Sequence, residues 1–259
     1  MKDIILYCKS YRGDFKRLVN LSLSIKEHNR DNIPFYISVP KNDLELAKET
    51  IPYYTEIIVD EDYAPLNEGW HGQQFTKAMF YKTKISRFYV SIDSDSYFFK
   101  DFYKKDFLVN DDVPYMVMHA NESFYNFWDR YSYKFPYDAR KTHEEEYLSI
   151  KKFFGNSGKI YDFSPSPFIW DTKVWEWLDT EYGIPQLFNK HCNELKWYGE
   201  GAIAMGASFY PCGPLFACMH YKEQYKLYKE KLDYSEKHFH PQYLGMVMQS
   251  NWNAPLKFD

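Results

Sequence analysis

Apolar and polar positions fall in blocks along the first hundred residues. Residues 4–8, Ile-Ile-Leu-Tyr-Cys, are an unbroken apolar run, the pattern of a strand covered on both faces. Residues 15–28 carry Leu18, Leu21 and Ile25 at helical spacing, which predicts an amphipathic helix, with Asp14 placed to cap it. Residues 34–39 repeat the strand pattern and stop at Pro40. Residues 42–50 read as a second helix and 55–59 as a third strand. This β-α-β-α-β order predicts a parallel sheet with helices on its faces. The acidic residues 60–62 read as a solvated loop, 65–72 as irregular chain and 73–84 as a helix. Residues 88–92 form a further buried strand, and the apolar Tyr97-Phe-Phe99 follows closely.

Asp93 and Asp95 stand between that strand and the apolar triplet. Residues two apart in extended chain project to the same side, so both carboxylates face one point. Neighbouring anions call for a cation between them. Oxygen-only ligation suits Mg²⁺ or Mn²⁺, which share their other positions with water and substrate phosphates. An Asx turn is the plain alternative for Asp-Ser-Asp-Ser. The place at the end of a buried strand, where open α/β sheets bind ligands, favours the metal. On the preceding helix Gln73, Gln74 and Lys77 share a face. Lys77 is placed to offset phosphate charge, and the glutamines to bond a sugar or the acidic pair. Asp171, at the end of a short strand entered through two prolines, reads first as a helix cap. Its second reading is a carboxylate acting on an acceptor hydroxyl.

The run Ser91-Ile-Asp-Ser-Asp-Ser-Tyr-Phe98 resembles the Asp-x-Asp segment of GT-A-fold glycosyltransferases. Gly69-Trp-His-Gly-Gln-Gln-Phe-Thr-Lys77 is similar to a segment that precedes it in some bacterial and viral members. The resemblance covers roughly the first hundred residues. It implies an α/β, GT-A-like (Rossmann-like) fold, with a mostly parallel central sheet flanked by helices. It implies Mn²⁺ or Mg²⁺ held by Asp93 and Asp95 on the diphosphate of a UDP- or GDP-linked sugar. The donor would lie against Ser10, Tyr11 and Asp14 of the first loop, and against Gln74, Lys77, Asp93 and Ser94. A late histidine completes the metal site in many members. His220, directly after an apolar run, fits that place, with His238 and His240 as competitors. Residues 193–200, Asn-Glu-Leu-Lys-Trp-Tyr-Gly-Glu, are similar to a segment that sets a carboxylate under the acceptor. That makes Glu194 the first candidate general base, with Asp171 second and Glu200 weaker.

The second half is patterned less clearly. A strand is predicted at 114–119, a helix at 142–154, and mostly helix over 184–205. Residues 121–133 are dense in aromatics. Residues 221–233 predict a Lys- and Tyr-rich helix. Its interspersed Glu residues favour a solvated face over one lying on a membrane with lipid-linked acceptors, so peripheral membrane contact is the lesser reading. Residues 243–252 are mainly apolar and are expected to pack back over the site. One domain over 1–259 is expected, with 1–110 holding the nucleotide and 111–259 shaping the acceptor pocket.

Composition narrows the picture. Aromatics make up 20% of 259 residues, and Tyr and Trp stack on sugars as readily as they fill cores. A net charge of −4 without a basic run argues against nucleic acid as partner. Cys8, Cys192, Cys212 and Cys218 are scattered, so neither a disulfide framework nor a zinc site is expected. The first apolar run is too short for a signal peptide and no transmembrane segment is seen, so a cytoplasmic place is expected. The expected activity is metal-dependent transfer of a sugar to the hydroxyl of a glycan or lipid-linked acceptor, in surface glycan or polysaccharide synthesis. A sugar-phosphate nucleotidyltransferase and a non-catalytic glycan-binding protein are the alternatives.

Overall fold

The computed structural model describes residues 2–52, 54–64, 69–120 and 122–258. The expected β-α-β-α-β order is present. β1 (Lys2–Lys9), α1 (Phe15–His28), β2 (Phe35–Val39), α2 (Leu44–Thr50) and β3 (Glu56–Val59) lead to α3 (Gly69–Met79) and β4 (Ser86–Ser91). Then follow β5 (Ser96–Phe98), β6 (Leu108–Asn110), β7 (Val113–Val117), β8 (His119–Ala120), α4 (Glu122–Tyr131) and α5 (Ala139–Phe153). The chain continues through β9 (Tyr161–Asp162), β10 (Phe168–Asp171), α6 (Thr172–Tyr182), α7 (Ile184–Lys190) and α8 (Glu194–Met205). It closes with β11 (Tyr210–Cys212), β12 (Phe216–Met219), α9 (Lys222–Lys226) and β13 (Gly245–Met248).

The central sheet has the order β10-β4-β1-β2-β3. Four strands are parallel, and β10 lies antiparallel to β4, with Phe168 opposite Ser91 and Asp171 opposite Phe88. Strand alternation sorts the core into two layers. Ile4, Leu6 and Cys8 face α1 and α2, packing with Leu18, Leu21, Ile37 and Val90. Ile5, Tyr7 and Tyr89 face α3, α6 and α8, packing with Phe75, Trp175 and Trp197. A smaller sheet, β12-β13-β5, seats the end of the chain on Tyr97 and Phe99. Gly245 lies so close to β5 that a Cβ would fall 2.3 Å from the Tyr97 carbonyl oxygen, so this approach requires glycine. No helix of the described residues is long and apolar enough to cross a membrane.

Several expectations change. The predicted helix over 184–205 is two helices, interrupted at 191–193, where Asn193 caps α8 by accepting from the Lys196 N–H. The predicted helix over 221–233 is present over 222–231, as α9 running directly into a π-helical stretch over Leu227–Lys231. The helix expected from Gln73 begins at Gly69, and its tail tightens into a 3₁₀ turn over Phe80–Thr83. Residues 65–68 lie outside the described residues. The acidic turn at 60–62 is not simply solvated. Asp60 is buried and paired with Lys9 at 2.9 Å. Asp14 makes no capping bond to α1.

Candidate active site

The carboxyl end of β4 opens into a cleft of about 270 Å³. The chain reaches it because β4 is buried on both faces up to Ser91 and then turns, leaving Asp93 and Asp95 at its rim. The Asp93 N–H does not donate to a sheet neighbour. That N–H donates to Ser166 Oγ at 3.1 Å. Its carboxylate accepts from Lys77 Nζ at 2.5 Å. Lys77 is 3% exposed and sits 3.7 Å from Glu194 as well. Burial works against the ammonium, but Asp93 and then Glu194 hold its pKa above the ordinary lysine value.

Glu194 begins α8. Its N–H donates to Gln74 Oε1 at 3.1 Å, which ties α8 to α3. Burial pushes its carboxyl from 4.5 up to about 7, against the attraction of Lys77 and with the help of Asp93. Such a group is poised to take a proton near neutrality. It also gives stability a pH dependence. Between pH 4.5 and 7 the folded chain holds a proton that the unfolded chain releases, so stability falls as pH rises through this window and is level above it. Glu194→Gln is expected to flatten that fall, a change on the order of 3 kcal/mol, read from urea midpoints at pH 5 and pH 8. Parallel curves for both proteins would refute the assignment.

Asp95 is held from the far end of the chain. Its Oδ2 accepts from the Ser250 N–H at 2.8 Å, and its carbonyl accepts from the Met248 N–H. Burial, then Asp93, raises its carboxyl to about 6. Its Oδ1 is buried without a partner. A buried carboxylate oxygen left unpaired is costly, and a hard cation is one partner that removes the cost. The donors present are carboxylate oxygens, which suit Mg²⁺ or Mn²⁺. Among the described residues no three His, Cys, Asp or Glu side chains gather to hold an ion.

The other expected residues divide. Asp14, Gln74, Lys77, Ser94, Glu194 and His220 line the cleft with the acidic pair. Asp14 is raised by burial, against Arg17 and a hydrogen bond with Ser94. This bond is where its carboxyl goes instead of the α1 cap. His220 packs its ring on Phe127, and burial lowers it to about 4, so it is a neutral imidazole on the wall. It does not join Asp93 and Asp95 in a three-ligand group. Ser10 and Tyr11 stand outside the cleft lining. Ser10 is buried with its Oγ unpartnered, and Tyr11 is half exposed beside Gly13.

Asp171 is not in the cleft. It caps α6 through the Lys173 N–H at 2.9 Å. Because β10 runs antiparallel to β4, its end lies opposite Phe88, five residues and roughly 16 Å back from Asp93. Glu200 is fully buried in α8, bonded to Asn156 at 2.8 Å. His238 and His240 stack on Tyr234 and Phe99, away from the lining. Sequence reasoning missed Trp70, Ser166, Asn193 and Ser250, all of which line the cleft. Asn193 carried a readable signal, a cap residue directly before a helical run. Ser250 carried none beyond the apolar run that precedes it.

The fold has a relative among solved structures. The crystal structure of mouse xyloside xylosyltransferase 1, apo form, matches with a TM-score of 0.52 at 9% identity, over 97% of this chain and 99% of that one. The fold is thus GT-A-like, a mostly parallel sheet flanked by helices. No curated protein matches the chain. Residues 3–149 match DUF6492, a family of unknown function. With more than half of its length matched, the chain belongs to the DUF6492 family.

Proposed function

We propose that the chain is a glycosyltransferase that moves a sugar from a nucleotide-diphosphate donor, UDP- or GDP-linked, to the hydroxyl of a glycan acceptor. The observation that carries this is the Asp93–Asp95 pair at the carboxyl edge of a GT-A-like sheet, with the buried Oδ1 of Asp95 unpartnered and Lys77 alongside. Asp93 and Asp95 would hold Mn²⁺ or Mg²⁺, which as a Lewis acid offsets the charge that grows on a leaving diphosphate. Lys77 keeps its charge through its two carboxylate partners and adds a fixed cation at the same place. The base and ribose lie towards the first loop, where Asp14, the free Oγ of Ser10 and the exposed ring of Tyr11 stand. Residues 1–110 thereby hold the donor and 111–259 the acceptor, within one domain. Glu194 takes the proton of the attacking hydroxyl. Its pKa near 7 lets it do so at neutral pH.

A thermal-shift screen of nucleotides and nucleotide sugars, with and without Mn²⁺, tests this reading. At a hundredfold excess over Kd, binding to the folded chain adds about 2.7 kcal/mol, roughly 5–10 °C for a chain of this size. A UDP or GDP compound that raises Tm only with Mn²⁺, and releases nucleoside diphosphate when an acceptor is added, is the expected result. No stabilisation by any nucleotide with metal would overturn it.

A further inference from the structure

Trp70, Gln73, Gln74 and Lys77 stand at helical positions i, i+3, i+4 and i+7 of α3, and all four line the cleft. The stripe is graded. Lys77 at its deep end is paired with Asp93. Trp70, seven residues earlier and about 10 Å up the helix axis, is 64% exposed at the mouth. An indole left facing solvent on the wall of a polar cleft offers a flat apolar face with a polar edge.

The middle of the stripe carries an independent sign of a ligand. Gln74 is 3% exposed. Its Oε1 is fixed by the Glu194 N–H, which sets the orientation of the amide. Its Nε2 is then buried with no acceptor among the described residues. Buried donors are rarely left without an oxygen, and this one belongs to the cleft wall. Asn193 stands beside it. The capping bond to the Lys196 N–H uses its side-chain oxygen and leaves its NH₂ to donate.

We propose that α3 and the start of α8 form a saccharide subsite. A pyranose ring lays its C–H face on Trp70, and ring or glycosidic oxygens accept from Gln74 Nε2 and Asn193 Nδ2. This rests on the transferase reading and deepens it by placing the acceptor glycan, which enters past Trp70 with its reacting hydroxyl turned towards Glu194.

The test needs neither nucleotide nor turnover. The full chain is titrated with methyl β-glycosides of glucose, galactose, mannose and xylose, and with cellobiose and lactose, using saturation-transfer NMR. At least one sugar is expected to bind, with the protons of one ring face most strongly saturated. Trp70→Ala is expected to weaken it by about tenfold or more, and Trp70→Phe to restore part of the affinity. Circular dichroism verifies that the variants fold. A panel in which nothing binds, or binding that Trp70→Ala leaves unchanged, overturns the subsite. A chain that binds sugars through Trp70 yet releases no nucleoside diphosphate from any donor loses the transferase reading and keeps the subsite.

Discussion

Asp95→Asn is expected to abolish Mn²⁺-dependent stabilisation by nucleotides and to lower sugar transfer by about 10²–10³-fold, the usual loss when a fixed charge is removed from a reacting centre. Asparagine keeps the shape, and its oxygen still accepts from the Ser250 N–H, so the tie to the end of the chain survives. What goes is a charge that the fold already disfavours, since burial and Asp93 raise this carboxyl to about 6. The variant is therefore expected to be at least as stable as the parent in urea unfolding at pH 8. Stability kept for an acid that the fold would rather see neutral points to a site retained for function. If Asp95→Asn transfers sugar at the parental rate, the acidic pair is not the phosphate cradle.

Lys77→Met has the second large effect, and it falls on stability. The side chain is nearly inaccessible and faces Asp93 at 2.5 Å and Glu194 at 3.7 Å. Methionine fills similar volume but leaves two carboxylates beside each other with no cation. Removing one partner from a buried ion pair costs about 3–5 kcal/mol. The loss is expected in full at pH 8 and in part at pH 5, where Glu194 has already taken up a proton and no longer repels Asp93. Urea unfolding at the two pH values measures it. Equal losses at both pH values would mean that Glu194 does not share the Lys77 charge.

Much of the first half was legible in the chain. Strands covered on both faces read as continuous apolar runs, and residues 4–8 and 88–92 lie inside or beside β1 and β4 with little shift. Gln73 and Gln74, four and three residues before Lys77, were also legible as sharing one helix face with it, since helical periodicity is a local property, and that face lines the cleft. What could not be read depends on pairing far along the chain. Asp171 sits at a strand end, but whether that end lies at the sheet's carboxyl edge depends on the strand's direction, and β10 runs backwards. Asp14 had a local role open to it as a cap. It instead meets Ser94, eighty residues away in sequence. The Ser250 N–H reaches Asp95 only because β13 pairs with β5, and no pattern within residues 243–252 specifies that partner. The break before α8 did carry a local signal, because Asn193 suits a cap far better than a helix interior.

The late place of β10 in the chain also bears on synthesis. β1 to β4 can assemble as soon as the first ninety or so residues have left the ribosome. Until residues 168–171 follow, β4 has an open hydrogen-bonding edge flanked by Phe88, Tyr89 and Val90. At 5–20 residues per second that interval lasts roughly 4–15 s. During it the nascent chain displays the kind of bare edge on which neighbouring chains pair. A ribosome that stalls before Phe168 would release a fragment prone to aggregate.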